Sequence, residues 1–195
     1  MGCDIHIWTE IKSKETGKWE ISKQDIFPDG DTKKTSSPFD RRSYRLFALL
    51  ADVRNNAGII PISEPKGLPD DSEYLNTKLD KPYDMSFGYG ETNKCYTVKD
   101  EINYDVNYHS ETFLTLAELL NFDYDKTFEN LSVSKVFKSG NTVMAGAIFN
   151  EKAKVGEGEM TTYKDFIGEY FFEELEIMKT LGEPDDVRVV FYFDN

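Results

Sequence analysis

Asp4 and His6 stand two residues apart in the opening segment Gly2-Cys3-Asp4-Ile5-His6-Ile7-Trp8-Thr9-Glu10, which has the alternation of a strand. Successive strand side chains point to opposite faces, so Asp4, His6, Trp8 and Glu10 share one face and Cys3, Ile5, Ile7 and Thr9 the other. A carboxylate beside an imidazole can orient a proton, hold a ligand or supply half of a metal site. The chain has only 2 histidines, and the second, His109, precedes Ser110 in another polar cluster. The candidate ligand-binding set is Asp4, His6, Trp8, Arg54, Asn55, Asp71, His109, Ser110 and Asp194.

Three chemistries fit these residue types. The first is binding of a small phosphorylated or nucleotide-like ligand without turnover. Four of the five arginines, Arg41, Arg42, Arg45 and Arg54, fall within fourteen positions. The guanidinium fork suits carboxylate and phosphate. It would take phosphates together with an amide-rich helix start, while Asp4, His6 and Asn55 read hydroxyls or base edges. This reading needs no cofactor. A binder that only sequesters its ligand is often a symmetric homo-oligomer.

The second is a metal-dependent phosphodiesterase. Asp4, His6, His109 and Asp194 supply two imidazoles and two carboxylates, enough to hold zinc or manganese with a position left for water. Their spacing matches no metal motif. In a metal-free variant His6 or His109 serves as general acid and base beside Asp4. The sequence contains no P-loop, glycine-rich dinucleotide fingerprint, nucleophile elbow or zinc-finger spacing. The third is an acidic protein that blocks a host protein by imitating DNA. Residues 100–130 carry Asp100, Glu101, Asp105, Glu111, Glu118, Asp123, Asp125 and Glu129 against Lys126 alone. The Asp4/His6 and His109/Ser110 pairs have no role in such imitation.

Each candidate also has a plainer structural reading. His6 can be a satisfied strand histidine, and His109-Ser110 a brace between a loop and a helix. Asp70-Asp71 after Pro69 can be a turn. The arginine cluster can be a solvated helix face. Trp8, Trp19, Tyr89 and Tyr192 can be core rather than stacking platforms. Asp194 lies near the end of the sequence, but the apolar run Val189–Phe193 would hold it in a core strand.

The elements that must position these residues follow from pattern. Residues 3–12 and 18–23 form a hairpin, with Gly17 in the turn. Residues 24–39 read as a loop. Residues 41–56 read as a helix capped by Asp40, with Tyr44, Phe47, Leu50 and Ala51 as its buried stripe. Residues 57–110 have no steady period; they suggest a short hairpin near Cys95-Tyr96-Thr97-Val98 and a loop covering the site. Thr115 and Glu118 form a capping box at the start of a short helix, 115–122. Residues 131–149 read as a hairpin turning at Ser139-Gly140-Asn141. Thr162 caps one long helix, 162–181, that stops at Gly182 and Pro184. Residues 186–194 form the last strand.

No repeat or linker divides the chain, and 195 residues suffice for one domain with a real core. The expected class is α+β: a single domain with a mostly antiparallel sheet, its N- and C-terminal strands adjacent, and helices packed on one face. With 36 acidic against 23 basic residues, the net charge of -13 argues against sequence-general nucleic-acid binding. Cys3 and Cys95 make no disulfide framework or zinc spacing and read as reduced cytosolic thiols. No run approaches the ~20 apolar residues of a membrane span, and no signal peptide opens the sequence.

Several segments carry a resemblance. They are Gly2-Cys3-Asp4-Ile5-His6, Tyr44-Arg45-Leu46-Phe47-Ala48-Leu49-Leu50-Ala51-Asp52-Val53-Arg54-Asn55, Gly67-Leu68-Pro69-Asp70-Asp71, His109–Leu119 and Val190-Phe191-Tyr192-Phe193-Asp194-Asn195. Together they resemble an uncharacterised family of small bacteriophage proteins, in which a Trp commonly replaces Phe113. The resemblance implies a phage or prophage gene acting in the cytoplasm of an infected bacterium. In that setting a nucleotide-derived immune signal of the host is the natural ligand class, and sequestering it would be an anti-defence activity.

Overall fold

The computed structural model describes residues 2–30, 32–73, 83–87, 91–97, 105–106, 108–139 and 142–194. The strands are β1 (Asp4–Lys12), β2 (Trp19–Ile21), β3 (Phe27–Asp29), β4 (Lys33–Thr35), β5 (Tyr83–Phe87), β6 (Glu91–Thr97), β7 (Asp105–Val106), β8 (Tyr108–Thr115), β9 (Thr127–Asn130), β10 (Ser132–Ser139), β11 (Thr142–Lys152), β12 (Glu159–Thr162) and β13 (Val187–Asp194). The helices are α1 (Tyr44–Ala51), α2 (Leu116–Asn121), α3 (Tyr163–Ile167) and α4 (Glu169–Met178). Tyr89, Asp100, Glu101, Gly140 and Asn141 lie outside the described residues, as does the side chain of Cys95. The chain divides into two compact units: residues 1–42, 63–121 and 170–195, and residues 43–62 and 122–169.

The first unit is built on a four-stranded antiparallel sheet of order β2-β1-β13-β8. The strands nearest the two ends of the sequence are neighbours, with Asp4 opposite Asp194, His6 opposite Tyr192, Trp8 opposite Val190 and Glu10 opposite Arg188. β13 is covered on both faces: every residue from Val187 to Phe193 is buried. One face of this strand pair presents Ile5, Ile7 and Thr9 with Val189, Phe191 and Phe193, all buried. The other presents the alternating row Asp4, His6, Trp8 and Glu10. Gly17, at φ 67, closes the β1–β2 turn. The N–H of Gly17 donates to Ser13 O at 2.8 Å.

The capping box forms as expected: the Glu118 N–H donates to Thr115 Oγ1 at 3.1 Å, and the Thr115 N–H to Glu118 Oε2 at 2.9 Å. α2 follows directly and lies against β8 and β13, with Leu116 and Leu119 buried. α4 buries Phe171, Glu174, Leu175 and Met178. Separate ribbons, β3–β4 and β5–β6–β7, complete the sheets of this unit.

The second unit holds α1, the β9–β12 ribbon, the β10–β11 hairpin and α3. Ser139 pairs with Thr142 in the β10–β11 hairpin. Two helices differ from the sequence expectation. α1 is shorter than 41–56: Ser43, not Asp40, is its cap, accepting from Leu46 N, and Asp52 ends it in the left-handed region at φ 59. The helix expected over 162–181 is two helices. Thr162 does cap α3, but Gly168 leaves the helical region at φ 88 before α4 begins. Glycine makes that break cheap, which the apolar spacing across it does not reveal. Among the described residues no helix is long and apolar enough to cross a membrane.

Candidate functional site

The Asp4–Glu10 row on β1, with the residues opposite it on β13, forms the candidate site. Its first end is open. Asp194 Oδ2 lies 3.1 Å from His6 Nε2, and the side chains are 27% and 40% exposed. The backbone N–H of Asp4 donates to Asp194 Oδ1 at 3.3 Å, which pins the carboxylate beside the ring. The His6 ring stacks on Tyr192 at a centroid distance of 4.9 Å. The Asp4 carboxylate is gripped by the fork of Arg42, with Nε donating to Oδ1 at 2.6 Å and Nη2 to Oδ2. That hydrogen-bonded guanidinium holds the Asp4 carboxyl below the usual range. Both partners are well exposed, so the pair adds little to stability. Asp194 is held in the ladder rather than frayed, as the apolar run before it implied.

The other end of the row is closed. Glu10 is fully buried and Arg188 is 4% exposed. Arg188 Nε donates to Glu10 Oε2 at 2.9 Å. The second oxygen of Glu10 accepts from the Ser72 hydroxyl and, at 3.4 Å, from Trp8 Nε1. Arg188 Nη2 also donates to Asp71 Oδ1 at 2.8 Å. The Trp19 ring lies over the guanidinium with its centroid 3.9 Å from Cζ. Glu10, Ser72 and Arg188 were absent from the sequence-derived set. The signal was present: Arg188 is the one arginine outside the cluster, and it interrupts an apolar strand whose antiparallel pairing sets it opposite Glu10.

Other candidates take different places. His109 sits opposite Phe193 and stacks on it at 6.0 Å. Phe193 belongs to the face opposite Tyr192 and His6, so the two imidazoles lie on opposite faces of the sheet. The cause is a bulge. β8 inserts one extra residue between the Phe191–Thr112 and Phe193–His109 pairs, with Ser110 at φ 55. Ser110 Oγ lies 3.0 Å from His109 Nδ1, a contact between neighbours within β8. His109 therefore stands on the face of the sheet opposite Asp4, His6 and Asp194. Among the described residues no three His, Cys, Asp or Glu side chains form a metal-ligating group.

Trp8 is buried, edge-on to Tyr192, and presents no open stacking surface. Asn55 belongs to the second unit and its amide is spent on its own loop. Nδ2 donates to Asp52 Oδ1 and Ile59 O, and Oδ1 accepts from the N–H groups of Gly58 and Ile59. Arg54 lies in the same unit, in the turn after α1 at φ 53. Arg41 stacks over Tyr170, and Arg45 donates to Phe166 O at 3.1 Å.

The segment 63–73 does approach the row. Lys66 N donates to Thr112 Oγ1 at 3.0 Å and Gly67 N to Glu111 O at 2.9 Å, fastening it along β8. Asp71 and Ser72 then reach Arg188 and Glu10. Comparison with protein-family models, curated proteins and solved structures finds no match for this chain.

Proposed function

We propose that this protein binds and sequesters a small phosphorylated, nucleotide-like ligand at the open end of the β1–β13 face. One observation carries the reading. Arg42 and His6 stand solvent-accessible at the same strand end, each set in place by a carboxylate, Asp4 or Asp194. An oriented guanidinium suits a phosphate, and an imidazole stacked on a tyrosine suits a hydroxyl or a base edge.

The resemblance to small phage proteins supplies the biological setting. The ligand is then a nucleotide-derived immune signal of the bacterial host, met in the cytoplasm, and sequestration is an anti-defence activity. A homo-oligomer would present several copies of the site.

The test is mass spectrometry of small molecules released by heat from the purified protein after prolonged incubation with nucleotides. Intact nucleotide is the expected product. Arg42→Ala should weaken binding by about 1.5–3 kcal/mol, the range for a hydrogen bond to a charged group. Recovery of cleaved nucleotide would replace sequestration by hydrolysis, with His6 and Asp194 as the acid–base pair. Failure to retain any nucleotide or phosphorylated metabolite would sink the reading.

A further inference from the structure

A depression of about 390 Å³, lined by Gly17, Lys18, Trp19, Asp71 and Glu73, lies apart from the residues of the open end. Two of its lining residues are those that touch Arg188: Trp19 by its ring and Asp71 by its carboxylate. Trp19 and Asp71 thus stand between the depression and a guanidinium that is itself buried.

We propose that Arg188 anchors a second anion site, that Asp71 is its built-in occupant, and that a phosphate or carboxylate entering the depression displaces Asp71.

The two carboxylates on Arg188 are not equivalent. Glu10 is its cross-strand partner, fully buried, and further held by Ser72. Asp71 is 65% exposed and arrives from an irregular segment, in the turn closed by Ser72 N donating to Pro69 O at 3.0 Å. Glu10 alone keeps the buried guanidinium neutralised. Asp71 is thus dispensable to the fold, and a contact to so exposed a group is readily exchanged.

The exchange is balanced electrostatically. An incoming anion takes the position of a carboxylate, and Asp71 moves into water with its charge intact. Lys18 adds a positive charge to the wall. Glu73 is committed elsewhere, accepting from Ile21 N at 2.6 Å. Trp19 offers an apolar wall to the uncharged part of a ligand. A protein whose site is partly filled by its own side chain binds with an affinity reduced by the fraction of time the site is filled. Removing the occupant should then raise affinity.

The test is titration with inorganic phosphate and, separately, succinate at constant ionic strength. Binding is read by calorimetry and by tryptophan fluorescence, in the wild type, Asp71→Ala and Asp71→Asn. Asp71→Ala should bind one of the two anions at least fivefold more tightly than the wild type, with Asp71→Asn between them. Lys18→Glu in the Asp71→Ala background should weaken that binding at least twofold. Arg42→Ala in the same background should leave it unchanged, which separates this site from the open end. Phosphate alone responding marks a phosphorylated ligand, and succinate alone a carboxylate. The proposal fails if Asp71→Ala gains affinity for neither anion, or if Arg42→Ala removes the gain.

Discussion

Glu10 and Arg188 face each other across the β1–β13 ladder as a buried ion pair, with Nε 2.9 Å from Oε2. Removing two charges from water costs more than their attraction commonly returns, so the pair is not explained by stability alone. Removing one partner strands the other. Glu10→Leu or Arg188→Met alone should each destabilise the protein by about 3–5 kcal/mol in urea unfolding. The double substitution should recover most of that loss. Strictly additive losses would show that the two charges are not coupled.

A second buried carboxylate gives a pH signature. Glu174 Oε2 accepts from Phe39 N at 2.6 Å, and Phe39 itself sits at φ 60. Burial pushes the Glu174 carboxyl above its ordinary value of 4.5, against the hydrogen bond from Phe39 and the charge of Arg41, while Asp40 and Glu173 push the same way as burial. With the folded value raised, the native state binds the proton more tightly than the unfolded one. Its contribution is fully present below the ordinary value and declines as pH rises through the raised one. Glu174→Gln keeps an acceptor for Phe39 and removes the buried charge. At pH 7 it should be at least as stable as the wild type, and its stability should depend less on pH above 5. Glu174→Ala should lose about 1–3 kcal/mol by leaving a buried N–H without its partner. Thermal melts of both variants from pH 4 to 8 decide the matter.

The sheet was legible because its cues are local and repeated. Alternation from Asp4 to Glu10 and the apolar run before Asp194 required two strands with buried faces, and these pair directly. The Thr115–Glu118 box was legible because both partners lie within one turn. The site was only partly legible. The open end follows from β1 alternation, but that Arg42 is the arginine on Asp4 depends on chain path rather than spacing. The face that His109 takes was not legible, because a single-residue bulge at Ser110 leaves no trace in side-chain pattern. The break at Gly168 was hidden for the opposite reason: a strong helical period runs through it on both sides.

Asn55 tests the distinction between a loop brace and a ligand reader. Its amide makes hydrogen bonds to Asp52, Gly58 and Ile59, all within its own turn. Asn55→Ala should lower stability by about 1–3 kcal/mol through the polar groups it abandons. It should leave nucleotide retention unchanged at temperatures where the variant is folded. A variant of wild-type stability that fails to retain ligand would return Asn55 to the binding set.

The two histidines give the sharpest check on which face of the sheet is the site. His6 pairs with Tyr192 and His109 with Phe193, adjacent residues on β13 whose side chains point to opposite faces. His6 shares a contact with Asp194, whereas His109 shares one with Ser110. Groups with no shared partner combine additively within about 0.3–0.5 kcal/mol, while contacting groups couple by about 0.5–3 kcal/mol. For nucleotide binding, the cycle of His6→Ala with Asp194→Asn should therefore show coupling in the upper range. The cycle of His6→Ala with His109→Ala should show none beyond the lower one. His109→Ala alone should leave affinity within about twofold of the wild type, since about 0.4 kcal/mol corresponds to that factor. Strong coupling between the histidines would place both imidazoles on one ligand and overturn the assignment of the site to the His6 face.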